Sequence, residues 1–537
     1  MKIPGHIKKG LVLLVIVTSF YLAYVHFFIK PSNFKYFSLV DDGQVLVQSS
    51  SYLEDCLSNL QCSKFIDQTF EFGTNRFRPT YWLINNFLYE TFGDNPQSHH
   101  LFRVYVVGYV VTLLLFLILI DLRLRSVVVL NGVFLFVSNF SFSENIVRLG
   151  TNEPYQVLFL AIFSLIYLRY RKRMLESGRT LFILLLILIW TVFIKENSLV
   201  VLPAIFFTEY LSNKKNLRGA AILVALPFVL LVSGIVFTKY IPSSIAPDIP
   251  SYTTNYVTDL RVIMGNALSN IRLLFNSLSP FLKLSLFLLP LLVVSKSTRA
   301  SLKNAKIYYW FLFAVFFTLI LFPWRYVLER YQLISIFGLT ILMSFVLDKV
   351  IEFLWNNIST KRRVTPMHKL FFELFVFWLV MSLFFRGLPI NLAKTINYST
   401  WFEGFTRFES EQVRAIATHN EEKVYINAVD NINNWEFLYE VPIHLKFLYH
   451  LDPNVQIVTE SPTNNGYLFS RSSFDSVIEL EKLSESGYEI DDSNTYKIDQ
   501  IDPILFRKQF NKKPIRTILT PPLKEEGFDY YWEIRKL

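Results

Sequence analysis

The sequence predicts a mainly α-helical, polytopic membrane protein of the helical-bundle class, with a small extracytoplasmic α/β domain at its C-terminal end. Three observations predict it. The 537 residues are 52% hydrophobic and 17% aromatic, including 52 Phe, with mean hydropathy +0.35, which is too apolar for an ordinary soluble protein. About eleven apolar stretches approach the ~20 residues needed to cross ~30 Å of hydrocarbon. Lys and Arg alternate in density between successive loops.

The expected spans lie near 10–29, 99–120, 126–141, 154–170, 180–194, 197–211, 219–238, 276–295, 306–323, 328–347 and 370–386. The first follows Lys2, Lys8 and Lys9 and has no small-residue cleavage site, so it is expected to be a retained signal anchor. One set of loops carries Lys8-Lys9, Arg123 and Arg125, Arg169 to Arg173 with Arg179, Lys214-Lys215-Arg218, Lys296 to Lys306, and Lys349 with Lys361-Arg362-Arg363. The other set carries only Arg148, Lys195, Arg325 and Arg330. By the positive-inside rule the N-terminus is cytoplasmic, and an odd span count places the C-terminal region outside. The expectation is an integral, multi-pass protein of the cytoplasmic (plasma) membrane.

This divides the chain into a first transmembrane helix (1–30), an extracytoplasmic loop (31–98), a transmembrane body (99–388) and an extracytoplasmic tail (389–537). The tail is richer in Asp, Glu, Asn and Ser. It alternates strand-like runs at 423–426 and 455–458 with a helical stretch near 434–450, the pattern of a small α/β domain. The net charge of +10 is not gathered into a basic low-complexity tail, which argues against nucleic acid as a partner, and no solenoid repeat is present. The two cysteines, Cys56 and Cys62, have five residues between them in the first loop. In an oxidising compartment they are plausible disulfide partners, and the spacing fits no zinc motif.

Charges at a membrane face suggest function by default. Asp41 and Asp42 follow the first span, and a carboxylate there can take a proton from an acceptor; the plain alternative is a solvated turn with Gly43. Arg76 and Arg78 precede Pro79, which suits the first turn of an interfacial helix over 79–89. They can bind phosphate or simply reach for headgroups. Lys195-Glu196 breaks an apolar run, either as a structural pair or as a phosphate-binding Lys oriented by Glu. Glu144, Arg148 and Glu153 form one further turn, and Arg325, Glu329 and Arg330 another. All gather at one face. His99 and His100 are adjacent, hence on different sides of a helix, and read as interfacial and not as metal ligands.

The order of these features resembles the GT-C glycosyltransferases of the protein O-mannosyltransferase type. It runs Asp41-Asp42-Gly43, Arg76-Phe77-Arg78-Pro79-Thr80-Tyr81-Trp82-Leu83, Phe92-Gly93-Asp94-Asn95-Pro96 with His99-His100, the Arg148 to Pro154 turn, Ile194-Lys195-Glu196-Asn197, and a late Arg-Tyr turn. Over roughly residues 10–390 it is similar to tetratricopeptide-bearing O-mannosyltransferases and to their bacterial relatives, including lipid A aminoarabinose transferases. The resemblance implies an inverting transfer of a sugar from a polyprenyl-phosphate donor to a glycan, lipid or protein acceptor. It implies Asp41, then Asp42, as the general base. Arg76, Arg78, Lys195, and Arg325 or Arg330 would bind donor phosphate, and Glu153 and Glu196 would support them. No cofactor or metal is expected beyond the lipid-linked donor itself. The tail has no tetratricopeptide repeats, and the residues around Pro79 differ between branches, so neither sugar nor acceptor is implied. Asp-Asp in place of Asp-Glu leaves the choice of base open. Two other readings compete. A transporter or flippase of a lipid-linked saccharide would need polar residues at mid-membrane, and a non-catalytic envelope assembly protein would not gather these charges into one cavity.

Overall fold

The computed structural model describes residues 5–39, 42, 48–73, 76–173, 177–212, 216–242, 257–278, 280, 283–285, 288, 304–324, 327–361, 366–427, 435–458, 466–473 and 530–536. Helix α1 (Gly5–Tyr24) runs on through Val25–Ile29 and stops at Lys30. Pro31 follows, and the residue before a proline is disfavoured in helical conformation; Lys30 takes φ 54°. The next segment holds α2 (Gln48–Asn59), α3 (Ser63–Phe70) and α4 (Pro79–Phe92). Cys56 and Cys62 are joined in a disulfide between α2 and α3. Pro79 opens α4 and Gly93, at φ 59°, ends it. Leu83 and Phe87, one turn apart, stay exposed on α4, while Tyr81, Trp82, Asn85 and Asn86 are buried against the protein.

Five described helices are long and apolar enough to cross a membrane: Gly10–Ile29, Pro96–Asp121, Leu217–Tyr240, Glu329–Ser359 and Phe371–Thr418. A sixth arises if Ser126–Val137 and Phe140–Val147, bent by 51°, count as one span. This is an integral membrane protein, mainly helical. The sequence expects about eleven spans by treating every apolar stretch as one. Among the described residues, Gly178–Val192 and Ala305–Leu319 are apolar but short, and the stretch at 276–295 lies mostly outside them. The bend at Asn139 has a local cause, because its side chain accepts the Ser141 N–H at 2.9 Å and caps a new helix.

Packing inside the bundle is aromatic and close. Trp310 stacks edge-on with Tyr309 and Phe313, and Phe136 with Phe337. Phe228, Val229, Val236 and Phe237 point outward from Leu217–Tyr240, as a lipid-facing surface requires. The 18-residue helix Glu153–Tyr170 is about 27 Å long at 1.5 Å per residue. It separates Glu153 at one face from Arg169, Arg171, Lys172 and Arg173 at the other.

Helix Pro366–Thr418 continues through residues 388 and 389 with Pro389 inside it, so no loop divides body from tail at that point. Beyond it lies a four-stranded sheet of order β2-β1-β3-β4, with β1 (Val424–Asn427), β2 (Val455–Val458), β3 (Tyr467–Ser473) and β4 (Tyr530–Lys536). β1 pairs in parallel with β2 and β3, and β3 antiparallel with β4. Helix Trp435–Phe447 connects β1 to β2, a βαβ crossover. Its Val441 and Leu445 pack with Val424, Ile426, Val413 and Ile416, and Leu39 of the first loop enters the same core. The remaining tail, 474–529, lies outside the described residues.

Candidate functional site

The first loop reaches the bundle through Asp42, which is 1% exposed. Its Oδ1 accepts the Gly150 N–H at 2.7 Å and its Oδ2 the Ser38 N–H at 3.0 Å. Both bonds are charge-assisted, so the acidic segment is stapled to the turn that begins at Arg148. Asp41 lies outside the described residues.

That turn is itself held from two sides. The Tyr81 hydroxyl donates to the Gly150 carbonyl at 2.7 Å. Arg103, 1% exposed, donates to the carbonyls of Leu149 (3.0 Å), Asn145 (3.3 Å) and Thr151, and to Thr151 Oγ1 (2.6 Å). Its guanidinium lies 4.8 Å from the Tyr155 ring centroid. The turn carbonyls thus satisfy a buried charge, and the charge fixes the turn.

The cations each meet a carboxylate or an aromatic hydroxyl. Arg78 grips Glu71 through Nε at 2.9 and 3.1 Å and through Nη2, over the Tyr81 ring. Arg76 Nη2 is 3.4 Å from Glu196 Oε1. Lys195 Nζ is 2.6 Å from Glu153 Oε1 and 5.5 Å from the Tyr331 ring centroid. Arg330 Nη2 donates to the Tyr331 hydroxyl at 3.3 Å. No carboxylate pairs with Arg330 among the described residues. Arg148 Nε donates to the Tyr398 hydroxyl at 2.7 Å. Lys394 Nζ meets Glu329 Oε1 at 2.7 Å, and Ser277 donates to the same oxygen at 3.2 Å.

These pairs form one electrostatic cluster. Glu144 interacts with Arg148, Glu329, Glu153 and Lys394, and Glu196 with Arg76, Arg78 and Lys195. Burial disfavours the Glu196 carboxylate, but Arg76 and Arg78 outweigh it and hold its pKa at about 2. Burial likewise opposes the charge on Lys195 and on Arg78. Glu153 and Tyr331 in the first case, and Glu71 in the second, raise both above their ordinary values.

Of the residues singled out in the sequence, Asp42, Arg76, Arg78, Glu153, Lys195, Glu196 and Arg330 meet in this cluster; Arg325, like Asp41, lies outside the described residues. The pairing differs from expectation, since Lys195 bonds Glu153 and Glu196 serves Arg76. His99 and His100 are both buried inside the protein, and His100 sits 5.0 Å from the Phe34 ring centroid and 6.0 Å from that of Phe402. The sequence reading passed over Glu71, Arg103, Lys394 and Tyr398. Arg103 had a signal, a single cation inside an apolar span. Glu71, Lys394 and Tyr398 had none, because their partners are set by tertiary contacts. Among the described residues no group of His, Cys, Asp and Glu is placed to hold a metal ion.

Neither a family model nor a curated protein matches the sequence. Solved structures do. The aminoarabinose transferase ArnT from Cupriavidus metallidurans, bound to undecaprenyl phosphate, aligns with 88% of this chain and 94% of its own at 10% identity, with a TM-score of 0.51. The archaeal oligosaccharyltransferase AglB from Archaeoglobus fulgidus, in complex with an inhibitory peptide and a dolichol-phosphate, aligns with 88% of this chain and 70% of its own at 12% identity, with a TM-score of 0.50. At such identity the likeness is one of architecture: this chain shares the overall fold of these two solved structures.

Proposed function

We propose that this protein is an inverting glycosyltransferase that moves a sugar from a polyprenyl-phosphate donor to a glycan, lipid or protein acceptor. The observation that carries the reading is the convergence of the Asp42 segment, the Arg148–Glu153 turn, Arg76, Arg78, Lys195 and Arg330 on one site within a GT-C fold. The solved relatives add chemistry to the fold, since ArnT was captured with undecaprenyl phosphate and AglB with a dolichol-phosphate. In this reading the N-terminus is cytoplasmic, and the site and tail lie outside a bacterial plasma membrane. The basic cluster Arg169–Arg173, a helix length away from Glu153, supports that orientation.

The step is a displacement at the anomeric carbon. Asp41 takes the proton from the acceptor hydroxyl or amine as that atom bonds the carbon. The bond to the phosphate oxygen breaks, and its electron pair leaves on the polyprenyl phosphate. Asp42 is itself fixed by the Gly150 and Ser38 N–H groups. Arg330 is the first cation for the leaving phosphate because no carboxylate occupies it among the described residues. Arg78, Arg76 and Lys195 complete the cationic wall, and the donor phosphate competes with Glu71, Glu196 and Glu153 for them; Arg325, outside the described residues, is a further candidate. Charge stabilisation of a good leaving group and a base are sufficient for this step, without a metal.

The test is sugar release from radiolabelled polyprenyl-phosphate sugars by purified protein, beside Asp41→Asn and Asp42→Asn. The expected result is turnover by the wild type, lost in Asp41→Asn while donor binding persists. Donor binding without turnover across a panel of sugars and acceptors would point to a transporter.

A further inference from the structure

The segment that leads to the acidic pair runs along the far end of helix Pro366–Thr418. Asn33 Nδ2 donates to Glu403 Oε2 at 3.2 Å, and the Phe34 and Phe402 rings meet edge-on at 5.6 Å. Six residues further along the helix from Glu403, Glu409 is 1% exposed. Its Oε2 accepts the Leu39 N–H at 2.9 Å and the Ser38 hydroxyl at 3.3 Å. Ser38 is also the residue whose N–H bonds Asp42, at 3.0 Å. Ser38 therefore stands between two buried carboxylates, one from the tail side and one from the acidic pair. Leu39 fixes the same point by packing among Val413, Ile416 and Ile426.

We propose that Glu409 is a positioning residue for the transfer reaction: through Ser38 and Leu39 it holds Asp42 against the Gly150 turn. A buried carboxylate that accepts a backbone N–H is a strong and directional fixture. The separation of 370 residues between the partners means that no local preference of the first loop can supply this hold. The same Asp42 carboxylate bonds Ser38 and Gly150, so a hold on Ser38 is passed on to the Gly150 contact. Among the described residues, Arg76, Arg78, Lys195 and Arg330 bond other partners than Glu409, so removing its carboxylate is expected to leave these cations in place. The effect is expected on the chemical step and not on donor affinity.

This inference rests on the glycosyltransferase reading, and two readouts keep their fates apart. The first is sugar release by the full-length protein in lipid nanodiscs, comparing wild type, Glu409→Ala, Glu409→Gln and the surface control Glu411→Ala. Glu409→Ala is expected to lower kcat about tenfold to a hundredfold, the scale set by small misplacement of a reacting group, with KM for the donor little changed. Glu409→Gln keeps an acceptor oxygen and is expected to recover most of that loss. The second is hydrogen exchange at the amides of Ser38, Leu39 and Gly150, which needs no turnover. Exchange is expected to quicken at all three in Glu409→Ala, to stay slow in Glu409→Gln, and to be unchanged in the membrane helices of both. Wild-type turnover with unaltered kcat in a folded Glu409→Ala overturns the positioning role. So does unaltered exchange at Gly150, or a Gln variant as impaired as Ala. If the wild type transfers no sugar, the enzyme reading falls, and the exchange pattern alone decides whether Glu409 positions the loop.

Discussion

Lys195 Nζ lies 2.6 Å from Glu153 Oε1, although the carboxylate next to it in sequence is Glu196. The reason is local. Lys195 has extended backbone angles, φ −157° and ψ 134°, and successive side chains of an extended segment point to opposite sides. Lys195 therefore faces the Glu153 turn, while Glu196 faces Arg76. One dipeptide joins two halves of the site.

Glu153→Gln is expected to strand the buried Lys195 charge and destabilise the protein by about 3 kcal/mol, the scale for breaking one side of a buried pair. Lys195→Met combined with Glu153→Gln should lose less than the sum of the single changes. Thermal unfolding in detergent, arranged as a double-mutant cycle, measures the difference; strict additivity would deny the coupling.

Glu196 gives a pH signature. Its pKa in the folded protein, about 2, lies below the ordinary 4.5. The interaction with Arg76 and Arg78 therefore adds its full stability above about pH 4.5, and that contribution is lost as pH falls toward 2. Glu196→Gln is expected to flatten the acid limb of the stability profile between these values and to lower stability at neutral pH. An acid limb identical in wild type and variant would contradict the assignment.

Arg103→Lys tests the turn. A lysine keeps the charge but has no planar fork with which to reach the carbonyls of Leu149, Asn145 and Thr151 together. Loss of about 2 to 3 kcal/mol is expected from unpaired buried carbonyls, with a parallel fall in sugar release as Gly150 loses its fixed position. A variant with wild-type stability and activity would show that Asp42 and Tyr81 suffice to hold Gly150 without the Arg103 fork.

The Cys56–Cys62 disulfide closes a short loop, so its chain-entropy contribution is modest, about 2 kcal/mol. It braces α2, whose Tyr52 packs edge-on against Phe447 of helix Trp435–Phe447 at 5.9 Å. Reductant is expected to lower the wild-type Tm by a few degrees. The Cys56→Ala/Cys62→Ala protein should start at the lower value and no longer respond to reductant.

Much of this architecture was legible because lipid imposes a simple code. Apolar length marked the first span at 10–29 and the helix now seen at Pro96–Asp121, Pro79 marked the start of α4, and β-branched runs marked β1 and β2. The same code does not decide where a helix is apolar but short, as at Gly178–Val192 and Ala305–Leu319. At the site, charge in an apolar context flagged Arg76, Arg78, Lys195 and Glu196. Their pairing was not legible: Glu71 for Arg78 and Glu153 for Lys195, like Glu409 for Ser38 and Leu39, are chosen by how the chain packs and leave no periodic trace in the sequence.

The bond from Leu39 to Glu409 has a consequence for how the protein is made. Its two ends emerge from the ribosome 370 residues apart, a delay of about 20 to 70 s at ordinary rates of synthesis. Asp42 and the early helices are therefore made long before the clamp exists. On the proposed reading, a nascent chain that stalls before Glu409 is a membrane-embedded protein whose reaction centre is not yet set.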